Sequence, residues 1–192
     1  MRGPKHPETG ESLHNLASLL QAQGDWGRAR PLYKRALAID EKRFGPDHPE
    51  VATDLNSLAS LLQAQGDLAG ARSLYKRALA IREKVLSPEH PDMAKSLNNL
   101  GTLLQEQGDL AGARSLYERS LAIRERVLGP EHPDTAQSFN NLGFLLEEQG
   151  DLAGARSLYK RVLAIYEKTY GPEHRYTAIV RNNLANLQRE GG

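Results

Sequence analysis

The chain has 192 residues, 26% of them charged, and a formal net charge of +1, so no bulk field favours nucleic acid or an anionic membrane surface. No apolar run approaches the ~20 residues needed to cross a bilayer, and the start, Met1-Arg2-Gly3-Pro4-Lys5-His6, lacks the apolar core of a secretory signal. Cysteine is absent, which excludes disulfides, thiolate zinc sites and cysteine nucleophiles and is compatible with a cytoplasmic protein.

The elements recur along the chain. Gly24-Asp25, Gly66-Asp67, Gly108-Asp109 and Gly150-Asp151 fall 42 residues apart. A second phrase keeps the same interval: Gly-Pro-Asp-His-Pro at 45–49, Ser-Pro-Glu-His-Pro at 87–91 and Gly-Pro-Glu-His-Pro at 129–133. A period between ~20 and ~50 residues marks a stacked repeat array. The expected fold is all-α: one domain over 1–192, an α-solenoid of four antiparallel helix pairs (about 7–48, 49–90, 91–132 and 133–174) closed by a capping helix at about 175–189.

In the first repeat, Trp26 stands where the second has Leu68, and Pro31 stands where it has Ser73. Proline inside a helix removes one hydrogen bond and collides with the carbonyl four residues back, here Gly27, so the second helix is expected to kink or start late. His14 stands alone on its face and is expected to be solvated. The third repeat shows the pattern most clearly. Asp92, just after Pro91, is the expected N-cap of its first helix. Ala94, Leu97, Leu100, Gly101, Leu103 and Leu104 form that helix's apolar face. Gly108 supplies a left-handed stop and Asp109 caps the second helix. There Leu110, Ala113, Leu116, Tyr117, Leu121, Ile123 and either Val127 or Leu128 are expected inside, until Gly129-Pro130 ends the helix. Gly70, Gly112 and Gly154 sit early in the second helices, either for tight packing near the turn or as an inheritance of duplication. In the last helix Arg175 replaces the loop proline and Arg181 a core position, as a solvent-facing cap requires.

These residues resemble the tetratricopeptide repeat. Gly101, Gly108, Ala113, Tyr117 and Ser120 fall on that family's marks, as do Ala59, Gly66, Ala71, Tyr75 and Ala78. The 42-residue unit and the phrases Leu-Asn-Asn-Leu at 97–100 and Ala-Ile-Arg-Glu-Lys at 80–84 resemble the longer subclass found in kinesin light chains. The resemblance implies a right-handed superhelix whose first helices line a concave face, a binding scaffold without catalysis or cofactor, and a protein or peptide ligand in the groove. Inward positions would be Thr53, Asn56, Ser57, Ser60 and Gln63 in the second repeat. They would be Lys95, Asn98, Asn99, Thr102 and Gln105 in the third, and Gln137, Asn140, Asn141, Phe144 and Glu147 in the fourth. Side-chain amides both donate and accept, so a row of Asn could hold an extended peptide backbone; the same row could instead bond neighbouring repeats and set their stacking. Kinesin light chains grip cargo with a Lys, an Asn four residues later and an Arg from the second helix; Lys95, Asn99, Arg82 and Arg124 fall on those marks. Asn15, Asn141 and Asn183 continue the Asn row and Ser57 interrupts it, while Asp40 and Tyr166 interrupt the Arg row. Phe144 would anchor an apolar ligand side chain.

The third and fourth repeats agree at 31 of 42 positions, so recurrence alone is weak evidence that any one residue has a role. The His at 6, 48, 90, 132 and 174 cannot share a metal ion, because neighbouring helices sit ~8–10 Å apart and a zinc–nitrogen bond is ~2 Å; His-Pro reads as a loop-capping element. No phosphate loop, nucleophile elbow, unique catalytic cluster or basic aromatic groove is present. A structural role remains the alternative, with truncated ends stacking end to end between molecules or the array serving as a spacer in a larger signalling protein.

Overall fold

A computed structural model describes residues 7–190 of the chain. Among them are nine helices and no strand. They fall into two compact units, Met1–Pro88 and Glu89–Gly192.

The first unit holds α1 (Pro7–Ala22), α2 (Trp26–Phe44), α3 (Pro49–Ala64) and α4 (Leu68–Val85). The second holds α5 (Pro91–Glu106), α6 (Leu110–Leu128), α7 (Pro133–Glu148), α8 (Leu152–Tyr170) and α9 (Arg175–Glu190). Within each unit every helix packs on the next in the chain, and α1 touches α3 as α5 touches α7. Neither helix of a pair can hide its apolar face alone, so the core forms between them. In the first unit Ala17, Leu20, Ala29 and Tyr33 pack with Leu58 and Leu61, and Val51, Ala52 and Leu55 with Ala78 and Ile81. In the second, Phe139, Ala155, Tyr159 and Val162 pack with Val180 and Leu187 of α9. Of the two side chains expected at the end of α6, Leu128 is half-buried and Val127 is exposed.

The capping residues explain where each helix starts and stops. Asp25, Asp67, Asp109 and Asp151 cap α2, α4, α6 and α8, each carboxylate accepting from the backbone N–H three residues on. The preceding glycines turn the chain in the left-handed region, with φ +79° at Gly108. A Cβ on Gly112 would lie 2.6 Å from the Asp109 carboxylate, so packing against the cap is what the early glycine provides. In the first repeat Arg28 occupies that place, and its cap bond to Asp25 is 3.2 Å against 2.9 Å at Gly70. The first helices start differently from expectation. The cap of α5 is His90 rather than Asp92, its ring Nδ1 accepting from the Asp92 N–H at 3.1 Å. His48 and His132 do the same for α3 and α7. Proline then takes the first helical position, where no N–H is needed, so Asp92 falls one place inside.

Two departures from the repeat have different outcomes. The late start expected from Pro31 is not found: α2 begins at Trp26, in step with Leu68, Leu110 and Leu152. The carbonyl that loses its donor belongs to Gly27, which is exposed, so water can satisfy it. Ser87, by contrast, changes its helix end. Glycines at 45, 129 and 171 end α2, α6 and α8 with φ of 89°, 88° and 92°. Serine is disfavoured there, and α4 ends at Val85 with Leu86 extended at φ −109°.

Candidate functional site

The chemistry-bearing side chains of the second unit gather on α5, α7 and α9. Two cavities open there and share Asn140 and Asn141. The first, about 410 Å³, is lined by Asp134, Gln137, Ile179 and Val180 and by Tyr166, Tyr170 and Tyr176. The second, about 360 Å³, is lined by Thr102, Gln105, Glu106, Tyr117, Phe144 and Glu148.

Helix geometry places these groups. Asn140, Asn141 and Phe144 lie three and four residues apart and so project from one face of α7. The opposite face carries Phe139, Leu142 and Leu145 into the core. Phe144 is 49% exposed and Ile179 50%, although both are large apolar side chains. Tyr170 and Tyr176 are also exposed, at the end of α8 and the start of α9. Their rings and that of Tyr166 stand 5.4–6.3 Å apart in tilted and edge-on pairs, forming an aromatic wall. Burial, the neighbouring tyrosines and the Asp134 charge push the Tyr166 phenol up to about 12. Oδ1 of Asn140 is buried and accepts no hydrogen bond among the described residues.

The expected site residues divide by role. Asn98, Thr102, Asn141 and Tyr117 form a bonded group. Asn141 Nδ2 donates to Asn98 Oδ1 at 2.7 Å, one repeat to the next. Thr102 Oγ1 donates to the Asn98 carbonyl at 3.1 Å, and the single Tyr117 hydroxyl proton has two acceptors in reach, Gln105 Oε1 at 2.9 Å and Thr102 Oγ1 at 3.1 Å. Arg124 is only 6% exposed; Nη1 donates to the Asp134 carbonyl at 2.7 Å and to Ser138 Oγ at 2.9 Å. Burial lowers its pKa from the ordinary arginine value. Arg82, in the first unit, is likewise buried and donates to Thr53 Oγ1 at 3.1 Å. Lys95 is exposed and lies 3.4 Å from Asp92, and Asn99 and Asn183 are half-buried; none of these three lines either cavity. Thr102, Asn140, Asn141 and Phe144 are the expected site residues that the cavities bring together.

Residue-by-residue reading missed a polar cluster in the first unit. His14 is not solvated: its Nδ1 is 2.6 Å from Oδ1 of Asp54, which is 3% exposed, and its Nε2 is 3.4 Å from Ser57 Oγ. The hydrogen bond to Asp54 raises the His14 pKa against the opposing effect of burial. Asp40 completes the group. Its carboxyl is pushed up to about 6 by burial, by the Asp54 charge and by a hydrogen bond with Asp54. Gly10, where later repeats have Ala52, Ala94 and Ala136, leaves room for it; a Cβ there would lie 3.0 Å from Asp40 Oδ1.

Paired helices in series, each burying its apolar face on the next, with polar side chains gathered on the first helices, define an α-solenoid repeat protein. The tetratricopeptide repeat model matches residues 8–84, 52–126, 92–168 and 138–192, and the chain belongs to the tetratricopeptide repeat family. Its repeats are of the kinesin-light-chain-like kind. A crystal structure of a Podosopora anserina protein described as a kinesin light chain, with nearly identical TPR-like repeats, is similar with a TM-score of 0.81 at 30% identity, covering 97% of this chain and 89% of that one. A crystal structure of a point variant of that protein gives 0.82 at 29%, covering 97% and 88%. BtubC (BKLC) from P. vanneervenii gives 0.85 at 25%, covering 97% and 74%. No curated protein matches the chain. Among the described residues no helix is long and apolar enough to cross a membrane.

Proposed function

We propose that the chain is a non-catalytic scaffold of the cytoplasm that captures an extended peptide on the α5–α7–α9 face. The observation that carries this is the pair of adjoining cavities, with Phe144 and Ile179 half exposed beside them. An apolar side chain exposed at a cavity mouth contributes nothing to folding there, whereas burial under a ligand would recover ~25 cal/mol per Å².

The array itself supplies mild test variants. Thr102 occupies the Phe144 position one repeat earlier, and Gln137 occupies the Ile179 position. A peptide-array screen, with hits measured by calorimetry against wild type and Phe144→Thr/Ile179→Gln, tests the proposal. Hits weakened at least tenfold by the double change at unchanged helicity support it. An empty screen, or hits indifferent to both changes, sinks it. A dilution series by light scattering separates peptide capture from end-to-end self-association, because only the latter changes the mass.

A further inference from the structure

The charge of the two cavities is one-sided. Asp134 lines the first, and Glu106 and Glu148 line the second. Among the described residues no lysine or arginine lines either one. The nearby cations are already engaged. Arg124 is buried behind the start of α7 and held by the Asp134 carbonyl and Ser138. Arg175 lies over the Tyr176 ring, 5.3 Å from its centroid, and Lys95 lies beside Asp92. One amide donor of the second cavity is already used, since Gln105 Nε2 donates to Glu148 at 2.6 Å. Beside Asp134 stands the wall of Tyr166, Tyr170 and Tyr176; His174 stacks on Tyr170 and Arg175 lies over Tyr176, so Tyr166, which lines the cavity, is the ring left to attract a cation, most strongly where water is excluded. Phe144 offers a second such face beside Glu148.

We propose that the α5–α7–α9 face selects an extended peptide carrying two basic side chains, one seated against the tyrosine wall and Asp134, the other between Phe144 and Glu148. This rests on the peptide-scaffold reading above and adds the ligand's chemistry. Asp134 and Glu148 lie near opposite ends of α7 (Pro133–Glu148), about 20 Å apart at ~1.5 Å of rise per residue, and an extended chain advances ~3.3 Å per residue, so the two basic residues fall about five or six positions apart. The preference is local: with a net charge of +1 the chain as a whole does not attract a cation, and these carboxylates must. Lysine and arginine stems also carry methylene surface that covers exposed rings, which explains why aromatic and acidic groups share one face.

The experiment uses the full chain and three fluorescein-labelled peptide pools of matched length. Lysine or arginine, glutamine, or glutamate fills the two variable positions. Anisotropy titrations are run at low and moderate salt, on wild type, Asp134→Asn/Glu148→Gln and the control Glu118→Gln, which removes a charge on α6 away from both cavities. The basic pool is expected to bind at least tenfold tighter than the others, to weaken with salt, and to lose about tenfold in Asp134→Asn/Glu148→Gln but not in Glu118→Gln. Three outcomes overturn the inference: equal binding of all pools, no response to the double change, or an equal loss in the control, which would mark a bulk charge effect. If the glutamate pool binds and is lost in Phe144→Thr/Ile179→Gln, the basic preference falls while the scaffold reading stands. If no pool binds, both fall.

Discussion

Replacing Asp40 by asparagine should stabilise the first unit at neutral pH and leave it unchanged in acid. Asp40 faces the Asp54 carboxylate and His14, with Glu50 adding negative charge and Arg43 opposing it. Its pKa rises from 3.8 to about 6, so in the folded state it keeps a proton that the unfolded chain gives up. The folded state therefore binds more protons across that interval, and stability falls as pH rises through it. A shift of this size is worth about 3 kcal/mol in a dry site, at ~1.4 kcal/mol for each tenfold change in proton affinity. Asp40 is partly open to solvent, and screening reduces the effect to about 1 kcal/mol. The amide introduced by Asp40→Asn would keep a donor toward Asp54 at every pH. Urea unfolding by circular dichroism, with hydrogen exchange on α2 and α3, should show the variant about 1 kcal/mol more stable at about pH 7.5 and equal to wild type near pH 4. His14 keeps its own dependence in both proteins: its raised pKa gives stability that is full below 6.5 and lost as pH climbs through the folded value. A variant less stable than wild type at neutral pH, or one whose gain persists undiminished in acid, would refute the carboxyl pairing.

Arg124→Ala should cost about 3 kcal/mol, because it leaves the Asp134 carbonyl and the buried Ser138 hydroxyl without a charged donor. Arg126→Ala, which removes an exposed partner of Glu89, should cost under ~1 kcal/mol. Chemical denaturation compares the two, and equal costs would mean that Arg124 is not the clamp its geometry suggests. His132→Ala should lower stability by about 1 kcal/mol through loss of the α7 cap, while His132→Asn should retain most of it. Thermal melts decide this, and an alanine variant that melts like wild type would show that proline and the backbone alone set the helix start.

The helices, their turns and most of the core were legible because each rests on a local rule repeated several times. A positive-φ glycine, an aspartate cap and an apolar face need no knowledge of distant residues. What was not legible lies between repeats. His14 meets Asp54 across 40 positions, and no spacing rule marks that meeting. A signal was nonetheless present: Gly10 and Asp40 both depart from the repeat, at positions that touch. The Asn row allowed two readings in sequence, ligand contact or bonding between repeats, and nothing local chose between them. In the fold Asn141 bonds Asn98, while Asn140, one residue earlier, ends with an unanswered oxygen, a difference set by which side of α7 meets α5. Tyr166 read as a gap in the Arg row, yet it packs against the core around Val180 and joins a tyrosine wall. The gap could not announce the wall, since Tyr170 and Tyr176 come from two different helices.

One column of side chains carries a further consequence. Within the units the ends of three second helices meet different groups: Asp40 with Asp54, Arg124 with Ser138, and Tyr166 with the apolar cluster that holds Val180, while Arg82 and Ser96 repeat in sequence the residue types of Arg124 and Ser138. Repeats that agree at 31 of 42 positions could in principle dock one period out of register, since their apolar surfaces are nearly interchangeable. The pairs at the two ends of the array oppose it. A slip that set Arg124 against Val180 would strand a guanidinium on an aliphatic side chain, at a cost of several kcal/mol. The same mismatch would confront a third repeat borrowed from another molecule. A few atoms at the first and last junctions thus act as an address, and fidelity of assembly is stored in the few places where duplication was not faithful.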